Sequence, residues 1–132
     1  MKIRLLKNKN DIYLVELSGV LDLYSSQELK DLVLKMIETR IECIIINLKN
    51  VAILGSAGLG ALIYISSTLK KVNCPLIVIA PKGPVLNILE VTRLKGFFTV
   101  VSSLKEATSL VSKIPFSVAL ADTPPPVKPD RK

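Results

Sequence analysis

The feature that most constrains the fold is a serine, Ser56, in a glycine-rich turn that begins at Gly55 and includes Gly58. An apolar segment with the character of a strand precedes this turn, and an apolar segment with helical spacing follows it over residues 57–71. This order predicts a strand that leads directly into a helix, with Ser56 as the N-cap residue of that helix. Unpaired N–H groups and the positive end of the helix dipole favour a negative charge there, so Ser56 is also a candidate phosphate acceptor.

The rest of the chain alternates between strand-like and helix-like segments. Ser25 with Glu28, and Ser103 with Glu106, match the capping-box pattern at which helices begin. The order of the segments predicts an α/β fold with a mixed β-sheet, whose central strands are parallel and covered by about four helices. Strands are predicted over residues 3–5, 12–21, 43–48, 75–79 and 97–101, and helices over residues 25–39, 57–71, 85–91 and 103–113.

The periodic pattern ends near residue 113. We expect residues 1–113 to form a single domain. Residues 114–132 are rich in proline, which interrupts helices and central strands, so we expect a flexible C-terminal tail. A docking peptide is the alternative interpretation of the tail.

The chain contains no histidine, which excludes a Ser-His-Asp triad, a Cys-His pair and histidine-based metal sites. Cys43 and Cys74 lie in or beside apolar segments without the spacing of metal ligands. We therefore expect no enzymatic activity, no metal and no cofactor. The sequence shows no secretory segment and no apolar run long enough to span a bilayer, so we expect a cytoplasmic protein without stable membrane insertion.

The formal net charge is +7, and part of it is concentrated at Lys2, Arg4, Lys7 and Lys9. Few aromatic residues accompany these charges, so the sequence gives little support for stacking on bases, and we expect no direct nucleic-acid binding. A solvated basic face is the simplest interpretation. An acidic partner or an anionic membrane surface is the alternative.

The glycine turn leaves a nucleotide site as a further alternative. Its pattern is G-x-x-G-x-G, whereas dinucleotide-binding turns carry G-x-G-x-x-G. No lysine follows it as in a phosphate-binding loop, and no acidic residue ends the next predicted strand to hold a ribose. The pattern therefore differs from both kinds of nucleotide site.

The helix after Ser56 is apolar on more than one side. Leu62 belongs to a core stripe, whereas Ala61 and Ile65 belong to a neighbouring apolar face. Such a face beside a turn predicts either a surface that binds a partner or deeper burial beneath a loop. Asp22 ends the second predicted strand, and its carboxylate would lie close to Ser56 if that strand neighbours the one before Ser56.

Four segments together resemble the STAS domain, and more narrowly the bacterial anti-sigma factor antagonists. They occur in the family's order and spacing, and the resemblance covers residues 1–113. The segments are residues 19–22 (Gly-Val-Leu-Asp), 44–48 (Ile-Ile-Ile-Asn-Leu), 55–60 (Gly-Ser-Ala-Gly-Leu-Gly) and 92–94 (Thr-Arg-Leu) ahead of Phe98.

The resemblance implies partner switching. In the family, the unmodified antagonist binds an anti-sigma factor that is also a serine kinase, and this frees the sigma factor. The kinase phosphorylates the serine that matches Ser56, a phosphatase reverses the modification, and the antagonist itself catalyses nothing. On this resemblance we expect phosphorylation at Ser56 and a partner surface lined by Asp22, Gly55, Ala57, Gly58, Ala61 and Ile65.

The chain departs from the family pattern at one position of the turn. The family has an aspartate directly before the serine, whereas this chain has Gly55. The departure supports an alternative, in which the domain is a scaffold or ligand-sensing module that binds without being phosphorylated.

Overall fold

The computed structural model describes residues 1–92 and 97–111, and the backbone of residues 117–121. Strands and helices alternate along most of the chain, as the sequence predicts. The strands are β1 (Lys2–Lys7), β2 (Ile12–Leu21), β3 (Cys43–Leu54), β4 (Leu76–Ile79), β5 (Thr99–Val101) and β6 (Ser117–Ala121). The helices are α1 (Leu23–Met36), α2 (Ser56–Lys71), α3 (Pro84–Val91) and α4 (Leu104–Val111).

The six strands form one mixed sheet in the order β5-β4-β3-β2-β1-β6. The four strands from β2 to β5 run parallel, and β1 is antiparallel to both of its neighbours. Parallel neighbours need a crossover between them, which here is α1, α2 or α3. The predicted fold class, a mixed sheet with parallel central strands and four helices, is confirmed.

Helices cover both faces of the sheet, but unequally. The larger hydrophobic core joins one face to side chains of α1, α2 and α3, among them Leu29, Leu62 and Leu89. The smaller core lies on the other face and includes Ala107 of α4. The central strand β3 contributes to both cores, so its isoleucines at 44–46 are fully buried, as a continuous apolar strand predicts.

The sheet extends beyond the expected end of the domain. We expected residues 114–132 to form a flexible tail, but Ser117–Ala121 has strand backbone and pairs with β1. The edge of β1 offers unpaired backbone groups to a short β-compatible segment, which the sequence pattern does not reveal. Residues 93–96, 112–116 and 122–132 lie outside the described residues, and with them Arg93 and Leu94 of the resemblance and the rest of the expected tail. The division of the chain at residue 113 otherwise stays a prediction.

Gly58 lets the first turn of α2 lie close to the sheet. It is buried, and a Cβ at this position would come within 2.7 Å of Leu54 Cδ1 and 3.0 Å of Leu21 Cγ and Cδ2. Both leucines are buried at the ends of their strands, so they have little room to move. Gly60 is exposed on the same helix, with no atom within 4 Å of an added Cβ.

These two glycines form a matched pair for a stability test. Alanine gains about 1 kcal/mol of helix propensity over glycine at either position, but only at Gly58 does it overpack the core. We expect Gly60→Ala to be more stable than Gly58→Ala by about 1–3 kcal/mol, measured by urea unfolding. Equal stability of the two variants would contradict the close approach of α2 to the sheet.

Candidate functional site

The candidate site lies where β2 and β3 end side by side. Leu21 and Leu54, the last residues of these parallel strands, are register partners. Each strand enters its helix through a single residue, Asp22 for α1 and Gly55 for α2. The strand before Asp22 is thus the neighbour of the strand before Ser56, which was the condition for Asp22 to lie near the serine.

Asp22 is the N-cap residue of α1. Its Oδ1 accepts the Ser25 N–H at 2.9 Å, and the Asp22 N–H donates to Ser25 Oγ at 2.9 Å, which completes a capping box. The prediction that Ser25 is the N-cap is wrong, because the preceding aspartate takes that position and Ser25 becomes the third residue of the helix. The hydrogen bonds from Ser25 hold the pKa of Asp22 below the usual value for an aspartate.

The Asp22 carboxylate therefore makes its hydrogen bonds within the first turn of α1 and not with Ser56. Ser25 Oγ also lies within hydrogen-bonding distance of Asp22 Oδ1, at 2.9 Å, and of the Val20 carbonyl, at 3.0 Å. Among the described residues, no hydrogen bond joins Asp22 to Ser56. Asp22 is exposed, so it adds a negative charge to the edge that carries the serine.

Ser56 is the first residue of α2, and its side chain is exposed. The prediction that Ser56 is the N-cap is wrong. Gly55 holds that position with extended backbone (φ −87, ψ −179), and no side chain caps the helix. The first turn of α2 contains no acidic residue, so no carboxylate of that turn neutralises the N–H groups or the positive end of the dipole. The hydroxyl is thus presented to solvent at a helix end that tolerates negative charge.

Gly55 leaves room for a side chain. Its φ is one that any residue adopts, and an added Cβ would meet only the Leu21 carbonyl oxygen, at 3.9 Å. The family's aspartate at this position would therefore fit without displacing the backbone, and its carboxylate would stand at the N-cap of α2. The glycine is thus not required by the backbone of the turn.

Most of the α2 residues that we expected to line a partner surface are buried. Ala57 is half-buried, but Gly58, Ala61 and Ile65 are buried, the last two with no exposed area. The expectation that these three residues line an exposed surface is wrong. Their face packs inward, where α2 contacts α1 and the sheet. The face is therefore buried, as the alternative interpretation predicted, but by a helix and the sheet rather than by a loop.

Four exposed apolar side chains lie around the ends of the two strands. Val20 and Ile53 are register partners on β2 and β3 with 40% and 58% of their areas exposed, and Leu23 and Tyr24 in the first turn of α1 are 79% and 78% exposed. We call these four residues the rim patch. Our reading of the sequence missed it. The sequence did contain a signal for it: Leu23 and Tyr24 are two large apolar residues directly after Asp22, in a helical turn whose outer side faces solvent.

Other kinds of site find little support in the described part of the chain. Within it, no three histidine, cysteine, aspartate or glutamate side chains are grouped so that they could hold a metal ion. No helix among the described residues has the length and apolarity to cross a membrane.

Comparison with known proteins identifies the family. A profile of the STAS domain matches residues 4–107. The chain belongs to the STAS domain family. Ser56 and the rim patch both lie within the matched part of the STAS domain.

Solved structures with the same fold include several anti-sigma factor antagonists. A Thermotoga maritima protein assigned to that class is 19% identical, with a TM-score of 0.72 over 80% of this chain and 92% of that one. An anti-sigma factor antagonist from Mycobacterium paratuberculosis is 21% identical, with a TM-score of 0.69 over 84% of this chain and 94% of that one. The phosphorylated form of the Bacillus cell fate determinant SpoIIAA is 17% identical, with a TM-score of 0.66 over 83% and 98%. At these identities the likeness establishes the shared fold.

The contribution of Asp22 to the stability of the STAS domain should be lost in acid. Since the folded state holds the pKa of Asp22 below 3.8, the contribution is complete above about pH 4 and disappears as the pH falls through the folded pKa. We expect the difference in Tm between the native chain and Asp22→Ala to be largest near neutral pH and to shrink below about pH 4. Asp22→Asn is the control, because it keeps a capping oxygen but does not titrate. A difference that stays constant down to about pH 2 would contradict the capping role of the carboxylate.

Proposed function

We propose that this STAS domain is an anti-sigma factor antagonist that binds an anti-sigma factor and is switched off by phosphorylation at Ser56. The observation that carries the proposal is the exposed Ser56 hydroxyl at the first position of α2, beside an uncovered apolar patch. The partner is a serine kinase that acts as the anti-sigma factor, and a phosphatase restores the binding form. The domain itself is not an enzyme, and it acts in the cytoplasm to regulate sigma-factor-dependent transcription.

A phosphate on Ser56 would be tolerated within the domain. The modification adds about −1.5 to −2 charges at neutral pH. Those charges would stand at the positive end of α2, where the first turn has no acidic side chain to repel them. The buried side of the helix would not be disturbed, because the Ser56 side chain is exposed. The switch would therefore act on binding rather than on folding.

The same phosphate would weaken the binding of a partner at this edge of the sheet. The rim patch supplies the apolar contact area. Asp22 lies between Val20 and Leu23 in the sequence, and Gly55 and Ala57 flank the serine. A doubly charged group enclosed in such an interface must lose its hydration, which costs several kcal/mol unless the partner supplies compensating charges. A loss of about 3 kcal/mol corresponds to roughly a hundredfold in affinity.

The switch can be tested with variants of the serine. The unmodified protein serves as bait in a lysate of its source cell, and the recovered kinase is purified for calorimetric titration. We expect Ser56→Ala to bind as the native chain does, and Ser56→Asp to bind at least about tenfold more weakly, because a carboxylate places charge at the same position. Ser67→Asp is the matched control, since Ser67 is exposed on the same helix but about 16 Å further along it.

Two results would contradict the proposal. Equal affinity of Ser56→Ala and Ser56→Asp would show that the serine does not control binding. An equal loss in Ser56→Asp and Ser67→Asp would show a general effect of negative charge on α2. Thermal unfolding of each variant separates these results from a loss of fold.

Gly55 favours a second candidate function. Without the family's aspartate, the turn lacks a carboxylate beside the serine. A kinase that recognises its substrate through this carboxylate would not modify Ser56. The domain would then be a STAS scaffold or ligand-sensing module whose binding is not regulated by phosphate. The same exposed edge would serve as its binding surface.

The substitution Gly55→Asp distinguishes the two candidates. The structure has space for the side chain, and an aspartate N-cap should stabilise α2 by a few tenths of a kcal/mol. If Ser56 is a phosphate acceptor, the native chain gains one phosphate when it is incubated with the kinase and ATP, measured by intact-mass spectrometry. If phosphate appears only in Gly55→Asp and not in Gly55→Ala, the unregulated module is the correct candidate.

A further inference from the structure

We propose that a cavity at the edge where the parallel strands begin binds a small zwitterion with apolar groups, of the size of a dipeptide. The ligand's carboxylate pairs with Lys9, and its ammonium group pairs with Glu42. The volume of the cavity is about 560 Å³, and small-molecule sites in proteins range from about 300 to about 1,000 Å³. The proposal goes beyond the function proposed above and does not rest on phosphorylation of Ser56.

The cavity lies at the edge of the sheet opposite to the candidate site. Its wall includes residues that directly precede three parallel strands, namely Asp11 before β2, Glu42 before β3 and Pro75 before β4. Val111, the last residue of α4, completes the wall on the face of the sheet that α4 covers. Ser56 follows the other end of β3, so the 12 residues of that strand, roughly 35 Å, separate the cavity from the serine.

The floor of the cavity is apolar. Ile12 and Cys43, which line it, are register partners on β2 and β3, and each is at most 4% exposed. They belong to the smaller core, against which Val111 packs. Ligand sites are mostly lined by such apolar groups, with a few polar groups that orient the ligand. The floor therefore favours a ligand with apolar groups.

The lining also supplies one uncompensated charge of each sign. Lys9 and Glu42 are exposed, and neither makes an ion pair with another described residue. Asp11 lines the cavity as well, but its Oδ1 lies 3.4 Å from Nζ of Lys7, which compensates its charge. A ligand with one ammonium group and one carboxylate group would match the two remaining charges.

This lining favours a zwitterion over a metal ion. Metal ions that prefer oxygen ligands are held by several carboxylate and carbonyl oxygens together. The described residues contain no group of three histidine, cysteine, aspartate or glutamate side chains that could act in this way. The pairing of Asp11 with Lys7 leaves Glu42 as the uncompensated carboxylate of the lining, which suits a single ammonium group.

Hydrogen bonds hold the walls of the cavity in place. The buried Asn8 side chain accepts the N–H groups of Asn10 and Ile12 through Oδ1, at 2.9 and 3.0 Å, which fixes the turn between β1 and β2. The Glu42 N–H donates to the Asp11 carbonyl oxygen at 2.9 Å and joins this turn to the start of β3. A ligand would therefore meet a pre-formed backbone, which lowers the entropic cost of binding.

Three dipeptide probes test the proposal by NMR titration of the isotope-labelled native chain. Leucyl-leucine carries both charges, its C-terminal amide keeps only the ammonium group, and its N-acetyl form keeps only the carboxylate. We expect leucyl-leucine to shift the amide signals of Ile12 and Cys43 but not those of Val20 and Ile53 at the opposite edge. Each of the other two probes should bind about tenfold more weakly, because each lacks one charge-assisted contact.

Two variants assign the charges to their residues. Lys9→Met should bind leucyl-leucine and its amide equally, because the partner of the carboxylate is gone. Glu42→Gln should likewise remove the difference between leucyl-leucine and its N-acetyl form. Both side chains are exposed, so the fold should be unaffected. Lys82→Met and Glu28→Gln are the matched controls, since they remove the same charges away from the cavity.

Several results would overturn the proposal. Equal affinity of the native chain for all three probes would show that only the apolar groups are recognised. Tighter binding of the amide or of the N-acetyl form would show that the cavity selects a single charge. Unchanged amide signals of Ile12 and Cys43 with every probe, or the same losses in the control variants, would show that no such site exists. None of these results bears on Ser56, whose variants are tested separately.

Discussion

The structure depends on the parallel pairing of β2 with β3 and on how closely a helix approaches the ends of both strands. Leu21 and Leu54 end their strands in register, and Gly58 of α2 packs on both. A side chain larger than hydrogen at that glycine would push the helix away from the sheet. Because each strand enters its helix through a single residue, the position of the first turn of α2 follows from the strand pairing, and so does the position of Ser56.

This constraint also explains why the apolar face of α2 is not exposed. A helix drawn that close to the sheet must bury its small and branched side chains, as Ala61 and Ile65 show. Near the site, exposed apolar area is found at the ends of β2 and β3 and in the first turn of α1. A charged Asp22 beside this area keeps its outer margin polar, as is usual where an apolar surface borders solvent.

The sequence allowed the fold to be predicted well, because its apolar periodicities are strong where the core is continuous. The isoleucines of β3 and the spacing in α2 are examples. The helix starts were less well predicted, since Asp22 and Ser25 both satisfy capping rules and only the end of β2 decides between them. The burial of Ala61 and Ile65 could not be predicted, because the sequence of an apolar helix face has the same pattern whether the face packs on another helix of the domain or binds a partner protein. Pairing of Ser117–Ala121 with β1 depends on long-range contact, which a local pattern does not contain.

The close packing of α2 on the sheet has a consequence for the rate of signalling. The inward face of α2 is packed on α1 and the sheet, and the exposed Ser56 side chain takes no part in that packing, so a chemical change at Ser56 would leave the packing in place. The two forms of the domain would then differ in surface charge and share one fold, so no slow relaxation would separate them. Under the proposed function, the time that the cell needs to reverse a decision would be the turnover time of the modifying enzymes alone.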